Sequence, residues 1–382
     1  MTSSEPRKNI IVIGGSYVGT RAVELLAQKL HATHRTLLIE QNTHFHHLFA
    51  FPRVAVVPGF ERLAFIPFTS TFDSLPRNST AVVHGRVTEV QPGRVILDSG
   101  DSVPYDFLVI ATGTRLPPPG TLHAFDKPAG MEYFRAHQKH VLNAQKVVVV
   151  GGGAVGVQLA TDIKDYYPAK HVTLVHSRDR LMHKFHLKMH EVLSDRMAEL
   201  DVGLVLGERA VIPPEGFPLD SKEFEIVLQS GRKLTADFAI LATGQIPRSE
   251  LIQTLTPDTI SSSGFIAVKR TLQVTDERYP NVFVIGDVAD TPNQKTARSG
   301  SHHAEVVTEN IAALVSGEEP RAEYKDSGMG IHMSLGMKRD LKFRQLVPEQ
   351  EPMVNLSDVG TEDMHLKRVW ERRAPGNKDY DS

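Results

Sequence analysis

The chain contains no cysteine. Disulfides, thiolate metal sites, iron–sulfur ligation and any dithiol relay are therefore excluded, and redox chemistry here must rest on a bound cofactor. A large charge of one sign is also missing. Lys and Arg number 43 against 45 Asp and Glu, and the net charge of −2 gives nucleic acid no global field to follow. No apolar run approaches the ~20 residues of a membrane-spanning helix. The opening Met-Thr-Ser-Ser lacks glycine at position 2, and the first apolar strand is reached by Ile10. Neither N-myristoylation nor a secretory or transit peptide is expected, so the chain reads as cytoplasmic and not secreted.

What is present is a duplicated pattern. Of the 382 residues 41% are apolar, which suits two or three domains with sizeable cores. Ile10–Ile13 is an apolar strand that turns through Gly14, Gly15 and Gly19 into a helical pattern carrying Ala22, Val23, Leu26, Ala27 and Leu30 on one side. "RTLLIE" then forms a second strand ending at Glu40. Strand, glycine turn, helix and strand with a terminal acid make a dinucleotide-binding unit. The turn lets backbone approach a diphosphate at the helix N-terminus, and Glu40 would accept a hydrogen bond from an adenosine ribose hydroxyl. "KVVVVGGGAVGVQLATDI" repeats the design with Gly151, Gly153 and Gly156, but its following strand ends at His176-Ser177-Arg178 rather than at an acid. Each unit later reaches a strand ending in Ala-Thr-Gly: Ala111, Thr112 and Gly113 in "YDFLVIATGT", and Ala242, Thr243 and Gly244 in "ADFAILATGQ". A further strand, "YPNVFVIGDVAD", runs into Gly286-Asp287 after the second unit, so the first domain is expected to be interrupted by the second.

The fold expected is α/β: two Rossmann-like dinucleotide-binding domains, one inserted in the other, plus a small C-terminal α+β region. The boundaries read as 1–125 with 265–322 for the outer domain, 126–264 for the inserted one, and 323–382 for the C-terminal region, whose last residues "APGNKDYDS" look disordered.

Together "IGGSYVG", the two Ala-Thr-Gly turns and "VFVIGD" resemble the two-dinucleotide-binding-domain flavoproteins of the pyridine nucleotide-disulfide oxidoreductase superfamily, without their dithiol. "THFHHLFAFPRVAV", "VTLVHS" and "SLGMKRD" resemble the branch that holds the apoptosis-inducing factors and the ferroptosis suppressors. The resemblance implies FAD in the outer domain and NADPH or NADH in the inserted one. It also implies an enzyme that passes hydride from NAD(P)H through flavin N5 to a small-molecule, quinone-like acceptor. It implies no catalytic amino acid, because the flavin carries the chemistry, and no metal. Gly14, Gly15, Ser16, Gly19, Glu40, His46, His47, Arg53, Ala111, Thr112, Gly113, Gly286, Asp287, Lys295 and His303 are the expected FAD residues. Gly151, Gly153, Gly156, His176, Ser177, Arg178, Thr243 and Gly244 are those for NAD(P)H, with Arg178 placed to receive a 2′-phosphate. Two departures stand out. Ser16 replaces the second glycine of the first loop, and Gln158 stands where relatives commonly place a glutamate.

Other readings stay open. One is an oxidoreductase for a specific small metabolite; another is a nucleotide-bound signalling protein with little turnover. His183, His186 and His190 read as one solvated helix face. A helix starting at Ser301 would turn its N-terminal dipole toward the flavin. The segment 328–347 mixes Met329, Ile331, Met333, Leu335, Met337, Leu341 and Phe343 with Lys338, Arg339, Lys342 and Arg344. It is expected either to dock at a membrane surface, the mitochondrial one being what the branch resemblance implies, or to cover the flavin domain.

Overall fold

The computed structural model describes residues 8–292, 294–326 and 328–382. The first unit contains β1 (Lys8–Ile13), α1 (Tyr17–Leu30), β2 (His34–Glu40), β3 (Thr80–His84) and β4 (Phe107–Ile110). After α2 (Lys127–Asn143) comes the second, with β5 (Lys146–Val150), α3 (Ala154–Tyr166), β6 (His171–His176), α4 (Leu187–Glu199), β7 (Gly203–Leu206) and β8 (Phe238–Leu241). The chain continues through β9 (Val282–Val284) and α5 (Ala297–Val315), then β10 (Met329–Ser334), β11 (Asp340–Gln345), β12 (Met353–Ser357) and α6 (Leu366–Arg373).

Two parallel sheets organise the molecule. One runs β9-β4-β1-β2-β3, the other β7-β6-β5-β8. Their central strands are continuous apolar runs because both faces are covered: Ile10, Ile11 and Val12 are fully buried, and Val147 to Val150 nearly so. The registers repeat between the sheets. Ile13 lies beside Ile39 and Ile110, and Val150 beside Val175 and Leu241. Both glycine turns therefore leave their sheets at the same corner, next to an Ala-Thr-Gly turn. β9, far later in the chain, pairs with β4.

The C-terminal strands form an antiparallel sheet, β10-β11-β12. Met333, Leu335, Met337, Leu341 and Phe343 are buried in a core shared with α3, α4 and β5 of the second unit. This corrects the expectation of a membrane-docking stripe on 328–347. The apolar side chains alternate inward on β11 while Lys342 and Arg344 point out, as a strand with one covered face requires. They pack chiefly on the second unit, in a core that Val56 and Val57 of the first unit also join. No helix among the described residues is long and apolar enough to cross a membrane. The chain end differs from expectation as well. Lys127 Nζ donates to the carbonyls of Tyr380 and Ser382 at 2.6 and 2.8 Å, and Trp370 Nε1 to that of Asn377 at 2.9 Å. Main-chain acceptors of the tail thus find buried donors, which composition alone does not reveal.

Candidate functional site

The first glycine turn is held by its neighbours on both sides. Gly14 N donates to Ile39 O at 3.0 Å, and Ala111 N to Ile13 O at 2.9 Å. Gly14 has φ +106, and a Cβ there would sit 2.6 Å from Ala111 O. A Cβ on Gly19 would lie 1.8 Å from Gly14 O, so helix and turn close only around glycine. The second turn repeats each detail. Gly151 N reaches Val175 O at 2.8 Å and Ala242 N reaches Val150 O at 2.8 Å. A Cβ on Gly151 would meet Ala242 O at 2.2 Å, and one on Gly156 would meet Gly151 O at 1.8 Å.

The Ser16 departure is explained by backbone geometry. Ser16 and Gly153 each precede their helix with nearly the same dihedrals, φ −82 and ψ −163 against φ −84 and ψ −178. Neither needs a left-handed backbone, and a Cβ on Gly153 would meet nothing within 4 Å. The position tolerates a side chain.

The residues ending β2 and β6 also take equivalent places. Glu40 Oε2 accepts from Gly15 N, while His176 Nδ1 accepts from Gly152 N at 3.0 Å. An imidazole whose Nδ1 accepts carries its proton on Nε2. Burial and nearby cations hold His176 below its ordinary value, so it stays neutral. The second turn therefore has an acceptor in the role of Glu40 without the negative charge. His176 Nε2 is buried and has no protein partner.

A cavity of about 380 Å³ opens on this second turn. Gly151, Gly153, His176, Ser177, Thr243 and Gly244 line it as expected, joined by His183, Lys184 and Arg209, which sequence reasoning missed. The histidine run explains part of the miss. α4 begins only at Leu187, with the His186 side chain capping it, so His183 belongs to the preceding turn and not to a helix face. Arg209 follows the end of β7, where only a strand-to-loop boundary near a nucleotide turn would have flagged it. Arg178 is exposed and outside the cavity lining; its carbonyl accepts from Gly207 N.

In the first unit, Gly286, Asp287, Lys295 and His303 gather at the start of α5 with Thr291 and Ser299. The helix begins at Ala297, capped by Thr296 Oγ1 accepting from Ser299 N at 3.2 Å, one turn earlier than the expected Ser301. His303 Nδ1 accepts from Gly286 N at 3.2 Å, and burial lowers its pKa to about 4. It is thus neutral, with an Nε2–H donor that finds no protein partner, and the Thr291 hydroxyl is likewise buried and unpartnered. Burial raises the Asp287 carboxyl to about 6, against the pull of Lys295. Lys295 Nζ itself donates to Ala289 O and Thr291 O.

His46 and His47 are buried and held near 3 by burial. His47 Nδ1 lies 2.7 Å from the Tyr17 hydroxyl, while buried His46 Nε2 has no partner. Among the described residues no cluster of three or more acids and histidines could hold a metal.

Arg53 requires a correction. Its expected role was contact with the flavin. Instead its side chain is fully buried and pairs twice with Asp162 of α3, at 2.8 Å each. Its remaining donors go to Ser334 Oγ, Gly336 O, Thr361 O and Glu362 O. Every guanidinium nitrogen is engaged, so Arg53 ties the first unit to the second and to the C-terminal region and has no donor left for a cofactor.

The turn geometry, the orphaned donors at His176, His303 and Thr291, and the buried carboxyls at Glu40 and Asp287 fit two dinucleotides. Comparison agrees. The family model for pyridine nucleotide-disulphide oxidoreductases matches residues 8–306. The chain is 36% identical over 402 aligned residues to Fe-regulated protein 8 of Mycosarcoma maydis, covering 98% of this chain and 97% of that one. It is 30% identical to ferroptosis suppressor protein 1 of Homo sapiens, covering 86% of each. Its fold is that of the sulfide:quinone oxidoreductase of Aquifex aeolicus, with a TM-score of 0.75 at 18% identity over 96% of this chain and 91% of that one.

Proposed function

The chain belongs to the pyridine nucleotide-disulphide oxidoreductase family, and within it we propose an NAD(P)H:quinone-type oxidoreductase whose outer unit holds FAD and whose inserted unit holds NADPH or NADH. It is a flavoprotein oxidoreductase. The proposal adds the acceptor, the residues and the extents: 1–125 with 265–322 for FAD, 126–264 for the pyridine nucleotide, and 323–382 as a covering region.

The observation that carries the acceptor is the missing thiol. The family name includes a disulfide, but a chain without cysteine has no dithiol relay, so electrons pass from the flavin to the acceptor directly, as a quinone allows. Bound FAD supplies two-electron chemistry between pyridine nucleotide and acceptor. The chain's own residues bind and orient. Glu40 sets the first glycine turn and faces the ribose region. The His303 Nε2–H and the positive end of α5 would offer donors to negative charge on the reduced cofactor. His176, neutral and unpartnered at Nε2, offers a donor in the second cavity. Lys184 and Arg209 add cations there, and no acid ends β6, so NADPH is expected to serve at least as well as NADH.

The test is spectroscopic. Purified protein should be yellow, bleach anaerobically with NADPH or NADH, and recover its colour when a short-chain quinone is added. Recovery with quinone no faster than with oxygen would remove the acceptor assignment and favour a metabolite-specific oxidoreductase.

A further inference from the structure

The second unit returns to the first through Ile246–Pro247, which pairs antiparallel with Thr114–Arg115. The next residue, Arg248, is pinned by its backbone to the first Ala-Thr-Gly turn: its N–H donates to Gly113 O at 3.0 Å and its carbonyl accepts from Thr112 Oγ1 at 2.6 Å. The other side of that turn is the one against which Gly14 closes. Arg248 is thus built into the wall of the first glycine turn by a strand of the other unit.

Its side chain has no protein anion. Among the described residues the Arg248 guanidinium makes no hydrogen bond or ion pair, and the neighbouring Glu250 is taken by Arg115 at 3.7 Å. The charges that bear on it are Glu40 first, then Arg115 and Glu250, and burial lowers its pKa. His46 feels Arg248 as well. Glu40 is the nearest acid in effect, but it forms no ion pair with Arg248; its Oε2 accepts from Gly15 N and its Oε1 from the backbone and side chain of Asn42. A partly desolvated cation without a partner is costly unless an anion arrives. The other cations expected at this site are occupied: Arg53 by Asp162, and Lys295 by two carbonyls.

We propose that Arg248, supplied by the return strand of the inserted unit, is a cofactor-binding residue of the first site and pairs through its guanidinium with the diphosphate of the dinucleotide held there. The inference rests on the reading that this site holds FAD. A planar guanidinium suits phosphate oxygens through paired N–H bonds, complementing the backbone donors of the glycine turn. Glu40 and Arg248 divide the work: the acid takes the ribose hydroxyl and the guanidinium takes the charge.

FAD titrated into flavin-stripped protein, followed by flavin fluorescence, tests this. Arg248→Gln should raise the Kd for FAD roughly 10- to 100-fold, the range of one charge-assisted contact. Arg248→Lys should recover part of the loss, and the gap between wild type and Arg248→Gln should narrow as salt is raised. The thermal midpoint of the flavin-free Arg248→Gln protein should be no lower than that of wild type, because the variant removes an unpartnered cation. Affinity within about twofold of wild type for Arg248→Gln, or no recovery with Arg248→Lys, would overturn the assignment. A wild-type protein that binds no FAD would instead remove the proposed function and this inference together, so the two failures are told apart.

Discussion

Arg53→Met tests whether the buried guanidinium is a tie between parts of the molecule or a cofactor contact. Arg53 and Asp162 have side chains with 0% exposure. Removing the guanidinium leaves a carboxylate buried without its cation, at a cost of about 3–5 kcal/mol. Thr361 and Glu362 are exposed, so their freed carbonyls turn to water and add little. Gly336 O keeps the Ser334 hydroxyl at 2.7 Å. With about 2 °C lost per kcal/mol in a chain of this size, the thermal midpoint should fall by roughly 6–10 °C. Burial pushes the Asp162 carboxyl up against the pull of Arg53, and losing Arg53 pushes it further. Adding Asp162→Leu should return most of the loss, because a hydrophobic pair of similar volume often replaces a buried ion pair without penalty. Differential scanning calorimetry of the two single variants and the double variant reads the coupling directly. An Arg53→Met protein that melts within about 1 °C of wild type but sheds its flavin would refute the tie and restore the cofactor role.

Four further outcomes are expected. Asp287→Ala should lose most of its flavin while staying folded, measured as absorbance per chain after gel filtration. Because burial raises the Asp287 carboxyl from 3.8 to about 6, its ionisation disfavours the folded flavin-free protein: the penalty is absent below pH 4 and complete above 6. Asp287→Asn should therefore raise the flavin-free melting temperature at pH 7 and leave it unchanged at pH 4. Arg209→Ala should raise the KM for NADPH roughly 10- to 100-fold and leave that for NADH nearly unchanged, whereas Arg178→Ala should have a small effect on either; the reverse order in steady-state kinetics would return the phosphate to Arg178. His46 and His47, held near 3, and His303, near 4, stay neutral when folded but bind protons near 6.5 when unfolded. Stability should therefore fall as pH drops below 6.5 and continue falling to about 3–4. His47→Gln should flatten thermal melts across that window; an unchanged slope would mean His47 titrates normally.

The sequence by itself determined the duplicated part of this protein. Gly14, Gly19, Gly151 and Gly156 are legible because a Cβ at any of them would meet a carbonyl oxygen of its own turn or of the adjacent Ala-Thr-Gly turn, at 1.8–2.6 Å. Such local constraints leave a fixed spacing in the chain. The covered parallel strands are legible for a similar reason, since burial on both faces demands unbroken apolar runs such as Ile10–Ile13 and Val147–Val150. Only the tertiary structure decided matters that depend on partners distant in the chain. Arg53 looked like a loop cation beside the flavin until Asp162, Ser334 and Gly336 converged on it. The apolar residues of 328–347 looked free to meet a membrane until α3 and α4 lay against them. Lys184 and Arg209 became cavity cations only when the turn after β6 and the loop after β7 folded toward the same glycine turn. Charge and hydrophobicity are properties of single residues, but whether either is spent inside the molecule or left for a ligand is set by which distant segment arrives beside it.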